Sequence, residues 1–397
     1  LKLKRRIAKN AIYTARMKIS RHFELIALVA IAGCIRSPIT SIGPQINAIR
    51  GSQNLGIIQF GFLTAIPVIC FALAAPLPSL RIFRKIKTEQ LIVFALLALA
   101  AATIFRTLGS NSLLFGLTVV LGISIAILNI VTPALVRRDY PKKITTVMPI
   151  YSAVLALMAS LGAGLSIPIA TYFGGNWKFG ISVWAIPAIL VAVIWIPLLR
   201  KAQPMPDSHE NHFKELLKSK KAWLVSVYMG VQSATFYTQV AWMPKMLMDK
   251  NYSAAEAGAL FGLSSLCGFA LTLILPLVFS KGENLQRAIL ATSVPGIAGF
   301  LGLTYLSNSW TIPALILIST THAALPLALG LIAMKSPSLA ATSHLSSMAQ
   351  GIGYCIAAVF PLVIGYSYAL TDSWQAATYL IVCLIALQAV AGLKANR

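Results

Sequence analysis

Apolar runs of roughly twenty residues recur along the whole chain, each long enough to cross the hydrocarbon core of a bilayer as a helix. They predict twelve membrane-crossing helices, near residues 23–48, 54–79, 88–108, 112–136, 144–173, 177–199, 222–248, 254–280, 286–306, 310–334, 342–369 and 374–394, numbered below as spans 1 to 12. Only one connection is long. It divides the chain into a basic N-terminal segment (1–22), a six-helix half (23–199), a polar linker with two prolines (200–221) and a second six-helix half (222–397). Within the linker, Phe213, Leu216 and Leu217 stand at helical spacing among lysines, which fits either a short helix on the membrane surface or a solvated connection. The expected class is an all-α integral membrane protein.

Composition agrees. The 397 residues are 57% hydrophobic and only 11% charged, a balance foreign to water-soluble domains. A net charge of +23 would suggest nucleic acid if the charges formed one face, but they do not. Lysine and arginine crowd the N-terminal segment, residues 81–87 and 137–143, the linker, Lys281, Arg287, Lys335, Lys394 and Arg397, whereas the opposite side carries Arg50, Lys178, Lys245 and Lys250. This asymmetry predicts a bacterial-type inner membrane, lipid as the surrounding partner, both termini cytoplasmic and no nucleic-acid role. Cys34, Cys70, Cys267, Cys355 and Cys383 all fall inside apolar runs without paired spacing, so neither disulfides nor a metal site is expected. Ile31 to Cys34 looks like a lipoprotein cleavage box, yet the apolar run continues past it for a full crossing, so no cleavage is expected there. Nothing reads as an enzyme: there is no nucleophile beside a base, no phosphate loop, no cofactor signature and hence no catalytic residue.

The two halves echo one another. A shift of 200 pairs Pro44 with Pro244, Arg50 with Lys250, Pro76 with Pro276 and Leu77 with Leu277; a shift of 193 pairs Asn129 with His322 and Pro133 with Pro326; a shift of 197 pairs Thr145 with Thr342 and Trp177 with Trp374. A parallel duplication of six spans is the architecture of major facilitator transporters, with a site between the halves near mid-membrane.

The residue that most needs a physical account is Arg36, near the middle of span 1. A guanidinium at that depth is costly, and about 16 Å separates it from either helix end, too far to snorkel. The ten acidic residues all lie at span entrances or in connections, so the missing negative charge is expected to arrive with a solute; a purely structural arginine bonded to neighbouring backbone is the other reading. Spans 1, 4, 7 and 10 line the cavity in this architecture, which singles out Arg36, Thr40 and Asn47, then Asn129, then Gln232, Thr235 and Gln239, then Ser319 and His322. Span 11 adds Ser347, Gln350 and Tyr354 on one stripe. The substrate-binding candidates are Arg36, Thr40, Asn129, Gln232, Gln239, His322, Gln350 and Tyr354, each of which also admits a plain interhelical hydrogen-bonding role. Tyr237 and Trp242 are candidates for an aromatic wall or for ordinary packing. His322 is the proton-coupling candidate, because imidazole changes charge near neutral pH. Arg106, near the end of span 3, is expected to snorkel. Gly162, Gly164 and Pro168 in span 5, and Gly351, Gly353 and Pro361 in span 11, are expected to let helices approach closely and bend.

IRSPITSIGPQI in span 1, FLTAIPVICFALAAPL in span 2, LNIVTPALVRRDYP at the end of span 4 and SSMAQGIGYCIAAVFPLVIGYSYALTDSW from span 11 into span 12 resemble the cyanate and nitroimidazole permease branch of the major facilitator superfamily. The superfamily's glycine-aspartate-basic signature after span 2 is replaced here by Pro76 to Arg81 followed by Arg84 and Lys85. The resemblance implies secondary active transport, by alternating access, of a small solute such as a cyanate-like anion or a small nitrogen heterocycle. Efflux of amphipathic drugs by the same fold is the alternative, weakened by the lack of an acidic residue in the cavity. A non-transporting sensor is a third reading, for which a sizeable cytoplasmic domain would be expected.

Overall fold

The computed structural model describes residues 22–77, 86–202, 213–278, 284–335 and 339–396. The basic N-terminal segment up to residue 21, residues 78–85 after span 2, Lys281 and the linker core 203–212 lie outside them. The described residues are helical throughout, without a β-strand. Among the described residues, eleven helices are long and apolar enough to cross a membrane: His22–Gln53, Ile57–Ala74, Thr88–Phe105, Asn111–Asp139, Ile150–Tyr172, Trp177–Arg200, Ala254–Leu275, Leu285–Tyr305, Asn308–Ile332, His344–Thr371 and Trp374–Asn396. The remaining expected span, the seventh, is present as a 29-residue helix, Lys220–Met248, but is less apolar than the others. Packing explains the difference. Span 7 is buried almost without a break from Val225 to Leu247, so it faces other helices rather than lipid and carries Gln232, Thr235, Thr238 and Gln239 inward.

Proline and hydroxyl chemistry sets where helices break. In span 1 the first helix stops at Arg36 and is followed by the short helix Ser37–Thr40, a 3₁₀ turn Gly43–Gln45 and the helix Ile46–Gln53. Pro38 and Pro44 supply no N–H to the preceding turn, so a continuous ladder is impossible there. Span 10 breaks similarly, as Thr311–Ser319, a 3₁₀ turn Thr320–Ala323 and Ala324–Lys335. Ser319, Thr320 and Thr321 each turn their hydroxyl back onto a carbonyl three residues earlier, and Pro326 withholds the next donor. Trp177 and Trp374, paired by the sequence echo, each open a helix.

Small residues let the spans cross closely. Span 5 meets span 8 where Ser160 donates to the Gly262 carbonyl at 2.6 Å, and span 7 meets span 11 at Gly230 and Gly353, where a Cβ on Gly230 would stand 2.9 Å from the Gly353 Cα. Trp242 of span 7 wedges between Gly61 of span 2 and Gly365 of span 11, and its indole N–H donates to the Pro361 carbonyl at 2.8 Å. Trp242 is therefore a packing residue. Leu216, on the six-residue helix Phe213–Lys218, is buried in the core of the second half, while Leu217 is exposed.

Charges at the helix ends are paired. At the basic end, Arg138 bridges Glu89 of span 3 at 2.6 Å and Asp139 at 2.7 Å. At the other end, Asp249 takes an ion pair from Lys245 and hydrogen bonds from Tyr368 and Trp374, both at 2.9 Å. Arg106 departs from expectation. It is only 1% exposed and donates to the Pro38 carbonyl at 2.8 Å, because the broken helix of span 1 leaves that carbonyl in need of a donor.

The Gly230–Gly353 crossing makes a direct prediction. Gly230→Val overpacks two backbones and is expected to cost about 1–3 kcal/mol, seen as a lower unfolding temperature in detergent. Gly116→Ala, in open space within the helix Asn111–Asp139, is expected to hold or raise that temperature, never to lower it.

Candidate functional site

Arg36 stands at the break in span 1, where its carbonyl accepts the N–H groups of both Ile39 and Thr40 at 3.0 Å. That tight turn carries the side chain across to span 7. Nη1 donates to the Tyr237 hydroxyl, and the guanidinium carbon lies 5.2 Å from the Phe236 ring centre and 5.6 Å from that of Tyr237. Phe71 of span 2 extends the aromatic surround, with its ring 6.1 Å from Tyr237 and 5.4 Å from Tyr354 of span 11. Tyr354 and the buried Tyr151 of span 5 both lie within electrostatic reach of the guanidinium. No carboxylate among the described residues forms an ion pair with Arg36. The charge is thus met directly by the Tyr237 hydroxyl and the rings of Phe236 and Tyr237 on span 7, with no ion pair among the described residues.

A second polar group adjoins the first through Phe236, whose ring meets the His322 imidazole edge-on at 5.6 Å. His322 Nε2 and Gln239 Oε1 are 3.1 Å apart, Gln239 Nε2 donates to Thr321 Oγ1 at 3.1 Å, and the Thr321 hydroxyl donates to the Ile318 carbonyl at 2.8 Å. The direction of this chain is fixed from its far end. Thr321 spends its one hydrogen on a carbonyl, so its oxygen accepts from the Gln239 amide, which turns the amide oxygen to His322 and makes Nε2 the donor. The neutral ring therefore keeps Nδ1 as its open position. That nitrogen faces span 8, where a Cβ on residue 268 would stand 2.1 Å away; Gly268 is what admits the imidazole.

The other sequence candidates fall elsewhere. Gln232 is buried and turns along its own helix, to Ser233 Oγ at 2.7 Å and Met229 Sδ at 3.3 Å. Gln350 donates to Ser346 at 2.9 Å. Thr40 bonds back to the Arg36 carbonyl at 3.3 Å and is packed against Gly162 of span 5. Asn47, one break further on, reaches Met248 at the span end. Asn129 is partly exposed, and its Nδ2 has no partner among the described residues. Arg36, Phe236, His322 and Tyr354 all keep some accessible surface. Sequence reasoning overlooked Phe236, Tyr151, Phe71 and Gly268. Phe236 adjoins Tyr237 on a helix already singled out, but span 5 was read only for packing and span 8 only for the echo between the halves.

The Coulomb attraction decides what this group can do. A unit anion 4 Å from the guanidinium gains about 4 kcal/mol at an effective dielectric constant of 20, against about 0.5–2 kcal/mol for a cation over one ring. An anion or strongly polar group placed there would therefore gain more from the charge than from the rings.

The profile of the Major Facilitator Superfamily matches residues 25–361. The chain is 31% identical over 376 residues to the 2-nitroimidazole transporter of Escherichia coli (strain K12), covering 93% of this chain and 94% of that one. It is 30% identical over 383 residues to the uncharacterized transporter YycB of Bacillus subtilis (strain 168), covering 96% and 95%, and 26% identical over 341 residues to the cyanate transport protein CynX of E. coli (strain K12), covering 85% and 88%. Among solved structures, the nucleoside transporter NupG superposes with a TM-score of 0.72 at 11% identity, over 94% of this chain and 99% of that one. A bacterial homologue of the human lysosomal transporter Spinster, inward-facing and unoccupied, superposes with 0.71 at 17%, over 95% and 96%. With a fold of membrane-crossing helices and a family profile over most of its length, this chain is an integral membrane protein and belongs to the Major Facilitator Superfamily of solute transporters.

Proposed function

We propose that this chain is a secondary active transporter of the bacterial inner membrane that moves a small anionic or polar solute, a cyanate-like anion or a small nitrogen heterocycle, by alternating access. One observation carries the reading: Arg36 lies mid-span, holds Tyr237 of the opposite half and has no carboxylate partner among the described residues. A solute bearing negative or partial negative charge supplies what the protein withholds. Flat or linear solutes suit the space between Phe236, Tyr237 and Tyr354, and relatives named for 2-nitroimidazole and cyanate transport support that choice. The halves are residues 23–199 and 222–397, joined by the linker 200–221, and the lysine and arginine bias supports cytoplasmic termini.

Arg36 is the main contact in this reading. Tyr237 and Tyr354 orient the solute, His322 carries a coupled proton at Nδ1 with Gln239 fixing its tautomer, and Asn129 offers a further donor. Gln232, Gln350 and Thr40 join the site only through a change of rotamer or of conformation.

Uptake into proteoliposomes tests this, with a panel of small anions, neutral isosteres and nitrogen heterocycles. Arg36→Gln is expected to lower anion uptake at subsaturating concentration by about a hundredfold or more, the scale set by the lost charge. Undiminished anion uptake would make Arg36 structural, and surviving flux of neutral heterocycles would favour efflux. Binding without flux in sealed vesicles would favour a sensor.

Proton coupling is tested separately. An imposed pH gradient is expected to drive uptake by the wild type but not by His322→Gln, in which downhill exchange persists. Equal gradient stimulation of both proteins removes His322 from the coupling.

A further inference from the structure

Arg106 closes span 3 at its sparsely charged end, its own N–H bonded to the Ala102 carbonyl at 3.1 Å. Water or headgroups lie within reach of an arginine at a helix end, yet this side chain runs inward and is among the largest fully buried ones in the protein. It has no carboxylate partner among the described residues, and Nε and Nη1 make no hydrogen bond there. Its one directed contact is Nη2 to the Pro38 carbonyl at 2.8 Å. Burying a charge on such terms is costly, which points to a role that snorkelling would forfeit.

The role follows from what span 1 lacks. In an unbroken helix the Pro38 carbonyl would accept the Ile42 N–H, but Ile42 turns instead to the Ile39 carbonyl at 3.4 Å. Nothing else in the ladder replaces it, and an unpaired carbonyl inside a membrane protein is unfavourable. Arg106 supplies a charge-assisted donor, stronger than a neutral one. Pro38 is two residues beyond Arg36 in a turn that the Arg36 carbonyl closes from the other side through Ile39 and Thr40. One arginine therefore grips the turn from within the first half while the other is presented from it to the second.

We propose that Arg106 is a positioning residue: by holding the Pro38 carbonyl it fixes the turn 36–40 and aims the Arg36 guanidinium at Tyr237. Its consequence for transport rests on the reading of Arg36 as the solute contact; its consequence for geometry does not.

The test uses the full chain with 3-fluorotyrosine at position 237, read by ¹⁹F NMR, together with uptake kinetics. Arg36→Gln sets the resonance of a Tyr237 without its guanidinium. Arg106→Gln is expected to move the resonance toward that value and to raise the KM for uptake about tenfold, the scale of one charge-assisted hydrogen bond, with Vmax changed far less. Arg106→Lys, which keeps charge and a donor, is expected to restore much of both. A role in general stability alone predicts a lower unfolding temperature with the Tyr237 resonance and KM unmoved, and that result overturns the proposal. Should Arg106→Gln alone not fold, Arg106→Lys carries the test, because its single ammonium reaches the Pro38 carbonyl less squarely than the guanidinium does. A Tyr237 resonance displaced part of the way toward the Arg36→Gln value supports the proposal; an unmoved one overturns it. An unmoved resonance in Arg106→Gln beside blocked uptake in Arg36→Gln rejects positioning and keeps the transport reading. A moved resonance beside unimpaired uptake in Arg36→Gln does the reverse.

Discussion

A positive charge held mid-span, with no ion-pair partner among the described residues, constrains everything around it. The guanidinium of Arg36 cannot reach either surface, so the protein must bring polarity to it. It does so with soft partners: a tyrosine hydroxyl and the faces of aromatic rings from the opposite half. Ring faces give a cation about 0.5–2 kcal/mol, far less than an ion pair at the same depth, so in the function proposed above the site stays receptive to an anion rather than satisfied by one. An internal carboxylate would remove that receptivity. In the same proposal the contacts of Arg36 with span 7 order the side chain yet are weak enough to be exchanged for a solute.

The second dependency is on broken helices. Spans 1 and 10 both lose their ladders at the depth of the site, and each break carries an ionisable residue, Arg36 and His322. Their causes differ. Two prolines interrupt span 1, whereas span 10 is loosened by three successive hydroxyls that bond back to their own helix and by Pro326. The freed backbone groups are then met by side chains, as the Pro38 carbonyl is by Arg106. Non-helical backbone is tolerated in a membrane only where protein surrounds it, and here that surrounding protein is also what orients the site.

The fold was largely legible because hydrophobic length is a local property: eleven helices lie where the apolar runs are, and the twelfth is displaced in polarity rather than position. Arg36 was legible for the same reason, since a lone arginine in an apolar run is conspicuous without any tertiary information. The site around it was not. Gln232 and Gln239 share a helical stripe, yet Gln239 reaches span 10 and Gln232 turns to Ser233, a choice made by neighbours that periodicity does not see. Tyr151 and Gly268 belong to spans 5 and 8, and nothing in their local sequence distinguishes an aromatic beside the guanidinium, or a glycine beneath an imidazole, from ordinary packing. Arg106 was misjudged because proximity to a helix end was taken to decide its direction, whereas an unfilled carbonyl on another span did.

The low hydropathy of span 7 has a consequence for how the protein is made. A helix that begins with two lysines and carries glutamines and threonines on buried faces gains little by entering lipid alone. Gln239 and Trp242 find their partners only once span 10 and span 11 are beside it, and those are synthesised more than sixty residues later. The second half therefore completes the contacts of its central helix only after its last spans have been made. Assembly of that half is cooperative by necessity, and a lesion in span 10 or 11 reaches back to the insertion of span 7.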